Sequence, residues 1–166
     1  MRFRAFPVKD EFLFVYGTLR RQGGGAMHAY LARNSDFVDE ATFRGKLFDI
    51  GAYPGVVPSD DPADLVYGEV YRLRHARDVL RSLDRYEGAG PGFPASREYI
   101  RSRREVRLPD GFTLPAWVYI YNRPTRGLAI ISGGDFFSKG ASGRYPVRLG
   151  PDGIEFRQER GRCDQP

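Results

Sequence analysis

"LVYGEVYRLRHARDVLRSLDRYEG", residues 65–88, changes its hydrophobic period halfway along. From Leu65 to Leu73 the side chains alternate, with Val66, Gly68, Val70 and Arg72 on one face and Tyr67, Glu69, Tyr71 and Leu73 on the other, the period of a β-strand. From His75 the apolar residues return at helical spacing instead. Ala76, Val79, Leu80, Leu83 and Tyr86 make one stripe that also carries Glu87, and Gly88 stands where a helix normally ends. A strand therefore feeds directly into an amphipathic helix.

The same reading extends outward in both directions. Phe12–Tyr16 is apolar, aromatic and short, as a buried strand is, and "GGGAMHAYLARNSDF" (23–37) starts loosely before offering one or two helical turns around Ala26 to Ala32. "ATFRGKLFDIG" (41–51) alternates as a strand, whereas "AYPGVVPSDDPAD" (52–64) reads as a Pro/Gly/Asp loop. "REYIRSRREVRL" (97–108), the turn "PDGF" (109–112) and "LPAWVYIYN" (114–122) together form a β-hairpin with a longer loop. "RPTRGLAIISGGDFFSKG" (123–140) reads as a short loop or helical segment. Strands outnumber helices and pair around one good helix, so the expected class is α+β, with a mixed sheet curled around its own core. One domain is expected over 1–166, its core at about 12–156 and a loose tail at about 157–166.

Composition narrows the function classes. With 14% aromatic and 28% charged residues the chain has the makings of an ordered globular protein. Its net charge of +5 and pI near 9.5 are compatible with nucleic acid or with anionic small molecules and do not choose between them. Almost all the positive charge is arginine, lysine occurring only at Lys9, Lys46 and Lys139. The densest patch, "REYIRSRREVR", alternates, which makes it a strand with one solvated, charged face. The single cysteine, Cys163, excludes an intramolecular disulfide or a thiolate metal cage and suits a reducing cytoplasm. Neither a signal-peptide core nor an apolar run of about 20 residues occurs, so a soluble, cytoplasmic protein is expected.

The residues for several chemistries are missing. His28 and His75 each stand alone and read as structural or solvated. No HExxH, CxxC or GxSxG pattern is present, and "GGG" (23–25) is not a phosphate loop because no Gly-Lys-Ser/Thr follows it. Carboxylate chemistry is left. Glu87 lies four residues after Leu83, on the apolar stripe and in the last helical turn, where desolvation and the negative end of the helix dipole both favour the protonated carboxyl. That is the tuning a general acid/base requires, although a Glu paired with Arg97 or Arg101 at the edge of the core would occupy the same position.

In sequence and order, "FVYGTLRRQGGGAMHAYL", "GKLFDIGAYPGVV", "VYGEVYRL", "LDRYEG", "EYIRSRREV", "AWVYIYNRP" and "GLAIISGGDF" resemble the γ-glutamylcyclotransferase-like (AIG2-like) family, in particular its small bacterial branch. The matching blocks run from Phe12 to Phe136, about three quarters of the chain. The resemblance implies a small mixed β-barrel-like sheet with a few flanking helices around one cavity. It also implies release of 5-oxoproline from a small γ-glutamyl amine or γ-glutamyl amino acid, by attack of the substrate's own α-amine on its γ-carbonyl.

By the same resemblance, Glu87 is the acid/base. The Tyr16-Gly17-Thr18-Leu19 turn turns backbone N–H groups toward the substrate's oxygens, and Tyr99, Tyr53 and Gly55 line the site. The triple glycine reads as slack between that turn and a short helix. The insert "AGPGFPASR" (89–97) lies beside this site. No cofactor and no metal are implied, no membrane or nucleic-acid partner is expected, and the chain is expected to be a monomer or weak homodimer. Two readings compete: a non-catalytic small-molecule-binding module of the same fold, and a nucleic-acid platform built on Arg101, Arg103, Arg104 and Arg107.

Overall fold

In three dimensions the alternating segments close on themselves. The structure, a computed structural model, describes residues 5–138 apart from 91, 95 and 96. Its elements are β1 (Phe12–Val15), α1 (Ala26–Arg33), β2 (Ser35–Asp49), β3 (Pro54–Pro58), β4 (Leu65–Leu73), α2 (Ala76–Glu87), β5 (Tyr99–Arg107) and β6 (Thr113–Tyr121). A 3-10 turn, Arg21–Gly23, separates β1 from α1. β1 pairs with β4, β4 with β2 and β2 with β3, all antiparallel, while β3 and β1 both run parallel to β6 and complete a five-stranded barrel. β5 lies along the other edge of β6, from Tyr99↔Tyr121 to Arg107↔Thr113, and touches β2 at Thr42↔Arg107.

Period-two alternation sorts the apolar residues into two cores. Phe12, Phe14 and Tyr16 of the β1 segment join Phe43, Val66, Val70 and Val118 inside the barrel. Their neighbours Leu13, Val15, Tyr71, Leu73, Tyr119 and Tyr121 form the second core with Leu31 of α1 and Val79, Leu80 and Leu83 of α2. Each large side chain so buried contributes roughly 1.5–3 kcal/mol. A one-residue slip of any strand would exchange its members between the two cores, so the register is strongly specified. No helix among the described residues is long and apolar enough to cross a membrane.

Two expectations need correction. The segment 52–64 is not all loop, because Pro54–Pro58 forms β3 against Gly45–Asp49. Its two prolines sit at the strand's first and last positions, where a missing N–H costs least. β2 starts at Ser35 rather than near Ala41, and its early half hides in the sequence because Asp36, Asp39 and Glu40 are polar and a bulge at Val38 breaks the alternation. Asp36 is held there by Arg74 and Arg72, at 2.6 and 3.3 Å. Within 123–138 the chain stays irregular, tied to the barrel through the Phe48↔Ile130 bridge and the Ile131 N–H on the Leu47 carbonyl at 2.8 Å. The end of the expected core, the tail and Cys163 lie outside the described residues.

Candidate active site

β1 ends at Val15, and the chain turns over Gly17–Arg20, closed by the Arg20 N–H on the Gly17 carbonyl at 3.0 Å. Tyr16 points into the barrel, where its hydroxyl donates to the Tyr119 carbonyl at 2.6 Å and accepts from the Val56 N–H at 3.4 Å. What Tyr16 can offer a ligand is therefore its backbone. Leu19 is buried, and its carbonyl accepts from Nδ1 of His28 at 2.8 Å, which gives that histidine a structural task. Thr18 is half-buried at the tip.

The turn rests on the start of β3. A Cβ on Gly17 would stand 2.8 Å from the Pro54 ring, and one on Gly55 would stand 2.8 Å from the Tyr121 ring, so both contacts need glycine. Tyr99, only 2% exposed, donates its hydroxyl to the Pro54 carbonyl at 2.8 Å and packs its ring 5.7 Å from Tyr121 and 6.2 Å from Tyr53. The Tyr53 hydroxyl donates to Glu98 at 2.9 Å. Tyr53, Gly55 and Tyr99 thus pack beside the turn, and the two hydroxyls of this group are engaged within the protein.

The triple glycine is not slack. A Cβ on Gly23 would stand 2.0 Å from the Thr18 carbonyl oxygen, so the backbone there folds directly over the turn. Gly24 and Gly25 then adopt φ values of 61° and 88°, a region that side chains disfavour.

The other candidate, Glu87, belongs to the C-terminal end of α2. Gly88, at φ 62°, ends the helix, with its N–H on the Arg85 carbonyl at 3.3 Å and the Ala89 N–H on the Asp84 carbonyl at 2.9 Å. This Schellman arrangement fixes Glu87 as the last helical residue. Glu87 is half-buried there.

One turn earlier lies a residue that sequence reasoning missed. Asp84 is only 6% exposed and receives Nε and Nη2 of Arg101 at 2.8 and 3.1 Å and the Tyr119 hydroxyl at 2.8 Å. Burial above all, then the charge and hydrogen bond of Asp84, then the charge of Glu87, raise the Tyr119 phenol well above its ordinary value, against a smaller opposing pull from Arg101. Tyr119 thus ties both segments to β6: its carbonyl holds Tyr16 at the head of the turn, and its hydroxyl donates to Asp84, one helical turn before Glu87. The available signal was the stripe itself, since Leu80, Asp84 and Glu87 follow the i, i+4, i+7 spacing.

Arg101, one of the two arginines that the sequence offered as a partner for Glu87, pairs with Asp84. Arg101 and Arg103 also lie over the Trp117 ring at 4.5 and 5.7 Å, and Arg103 reaches Glu11 at 3.4 Å. Two of the four arginines of the basic face are accordingly taken up within the protein, which weakens the nucleic-acid reading. Among the described residues no group of three or more His, Cys, Asp or Glu is arranged to hold a metal ion.

The comparisons with known proteins agree with this architecture. Residues 13–138 match the family model "Gamma-glutamyl cyclotransferase, AIG2-like". The chain is 33% identical over 128 residues to the γ-glutamylcyclotransferase family protein YtfP of Escherichia coli K12, a match that covers 76% of this chain and 96% of YtfP. It is 36% identical over 129 residues to a putative γ-glutamylcyclotransferase of Vibrio cholerae, covering 76% of this chain and 96% of that one. Among solved structures, the mouse AIG2-like protein superposes with a TM-score of 0.60 at 21% identity, covering 92% of this chain and 99% of its own, a likeness of fold. Bacillus subtilis YkqA superposes with a TM-score of 0.58 at 27% identity, covering 85% of this chain and 46% of YkqA.

Proposed function

Because the chain belongs to the γ-glutamyl cyclotransferase, AIG2-like family, we propose that it releases 5-oxoproline from a small γ-glutamyl amine or γ-glutamyl amino acid, with Glu87 as the acid/base. The substrate's α-nitrogen forms a bond to its own γ-carbonyl carbon. The bond from that carbon to the leaving nitrogen then breaks, giving a five-membered lactam and a free amine. Two protons must cross from the attacking nitrogen to the leaving one, the first before attack and the second as the tetrahedral intermediate collapses. Glu87 accepts each and delivers it. Nucleophile and electrophile are parts of one molecule, so holding the ring-closing conformer supplies much of the acceleration, up to roughly 7–11 kcal/mol for well-oriented reactions of this type.

The developing oxyanion needs donors that are already in place, and the backbone N–H groups of Gly17, Thr18 and Leu19 are assigned that task. Tyr53, Gly55 and Tyr99 shape the floor beneath the γ-glutamyl group. The observation that supports the reading is the linkage through Tyr119, whose carbonyl accepts from the Tyr16 hydroxyl at the head of the turn and whose own hydroxyl donates to Asp84, one helical turn before Glu87 on α2. Purified protein incubated with a panel of γ-glutamyl amines and γ-glutamyl amino acids is expected to release 5-oxoproline, measured by chromatography, from at least one of them. Saturable binding of panel members without 5-oxoproline would replace the enzyme with a binding module of the same fold.

A further inference from the structure

The Tyr16–Leu19 turn is held from its downstream side by a buried carboxylate on a different strand. Glu69 projects from β4 directly opposite Val15 and is only 2% exposed. Its Oε2 accepts the backbone N–H of Arg21 at 3.0 Å and the Tyr71 hydroxyl at 2.8 Å, and its Oε1 accepts Nε of Arg21 at 3.3 Å. Nε of Arg20 lies 4.0 Å from Oε1, while the other end of that guanidinium donates to Asp135 at 2.7 Å. The Arg21 guanidinium is in turn seated over the Phe37 ring at 4.0 Å. Both residues that follow the turn are therefore tied, one through its backbone.

Glu69 is a costly choice for a barrel that needs only to be stable. A carboxylate this far from water is tolerated only when paired, and apolar side chains in place of a buried ion pair are often at least as stable. It also stands opposite Glu40 in the β2–β4 ladder, a like-charge pairing that destabilises a sheet. What the carboxylate provides that an apolar residue cannot is a fixed acceptor for the N–H that immediately follows the Gly17–Arg20 turn. Gly23 closes over the Thr18 carbonyl from the next residues along, so the turn is gripped from both its downstream arm and its top.

We propose that Glu69 is a positioning residue for the reaction, holding the Gly17–Leu19 donors in the direction that the oxyanion requires by clamping the backbone at Arg21. This rests on the assignment of those N–H groups to the substrate. Reacting groups held about an ångström out of place lose on the order of 100-fold in rate. Glu69→Gln keeps the side chain's size while removing its charge and one acceptor. In the full-length protein, kcat/KM for 5-oxoproline release from the best γ-glutamyl substrate should fall by about 10- to 100-fold in this variant. Its pH–rate profile should keep its position, because Glu87 is untouched. Amide hydrogen exchange over residues 17–23 should quicken relative to the rest of the barrel.

Tyr71→Phe removes one donor and leaves the charges in place, so it serves if Glu69→Gln does not fold. A smaller loss of kcat/KM and the same local quickening of exchange are expected of it. A folded variant of either kind with wild-type kcat/KM and wild-type exchange over 17–23 would overturn the proposal. Wild-type protein inactive on every substrate would instead remove the proposed reaction, and the exchange result would still decide whether Glu69 holds the turn.

Discussion

The Asp84 carboxylate takes three hydrogen bonds from donors that have little other recourse, so truncating it strands them. Asp84→Ala leaves the Arg101 guanidinium, 22% exposed, and the buried Tyr119 hydroxyl without their acceptor, a loss of about 3 kcal/mol in line with breaking a mostly buried ion pair. Thermal denaturation followed by circular dichroism should register it as a markedly lower Tm. Gly55→Ala works through volume instead. The new methyl meets Cβ, Cγ and Cδ2 of Tyr121, the root of the side chain rather than a movable tip, and overpacking of this kind costs about 1–3 kcal/mol. At this scale the sequence showed Glu87 readily, since a carboxylate on an apolar stripe is conspicuous. Asp84 lay on the same stripe but was hidden by its tertiary partners: Arg101 lies 17 and Tyr119 lies 35 residues further along the chain. Tyr16 and Tyr99 illustrate the reverse case, since their positions near the site were legible and the engagement of their hydroxyls by backbone carbonyls was not.

Among the elements, α2 is the best specified and carries one local strain. His75, immediately before it, sits at φ 50° and ψ 51° and makes no side-chain cap. The left-handed region costs a non-glycine residue about 1–2 kcal/mol, and Asn tolerates it better while also capping helix N-termini. His75→Asn should therefore raise stability by about 0.5–1 kcal/mol, read as a higher midpoint in urea with an unchanged slope. No loss of 5-oxoproline release accompanies it, because His75 touches nothing in the site. β4 and α2 were legible because each repeats its own period over several turns or pleats. β3 was not, because five residues bracketed by prolines carry no period, and their strand character comes from pairing with β2 and β6. The early half of β2 was masked by its acidic side chains, of which Asp36 is turned toward Arg72 and Arg74.

For the whole molecule, two phenols couple stability to alkaline pH. Burial first, then the hydrogen bond and charge of Glu69, raise Tyr71 above the ordinary phenol value of 10.0, and Tyr119 is raised in the same direction. In the unfolded chain both ionise at the ordinary value, whereas the folded protein keeps them neutral. Their contribution is thus fully present below about pH 10 and is lost as the pH rises beyond it. Urea midpoints should be insensitive to these phenols from about pH 8 to pH 10 and fall beyond it, and Tyr71→Phe should flatten the decline. The barrel as a closed object was beyond any single segment's pattern, since closure depends on β6 receiving both β1 and β3 on one edge. That closure is what sets the turn after β1 beside β3 and β6, while the Tyr119 hydroxyl ties β6 to Asp84 of α2. The most direct test is 5-oxoproline release by Glu87→Gln, measured against wild type on the same γ-glutamyl substrate. With Glu87 as the acid/base, kcat should fall by about 100-fold or more with an unchanged Tm. A folded Glu87→Gln protein that turns over at the wild-type rate would contradict that role.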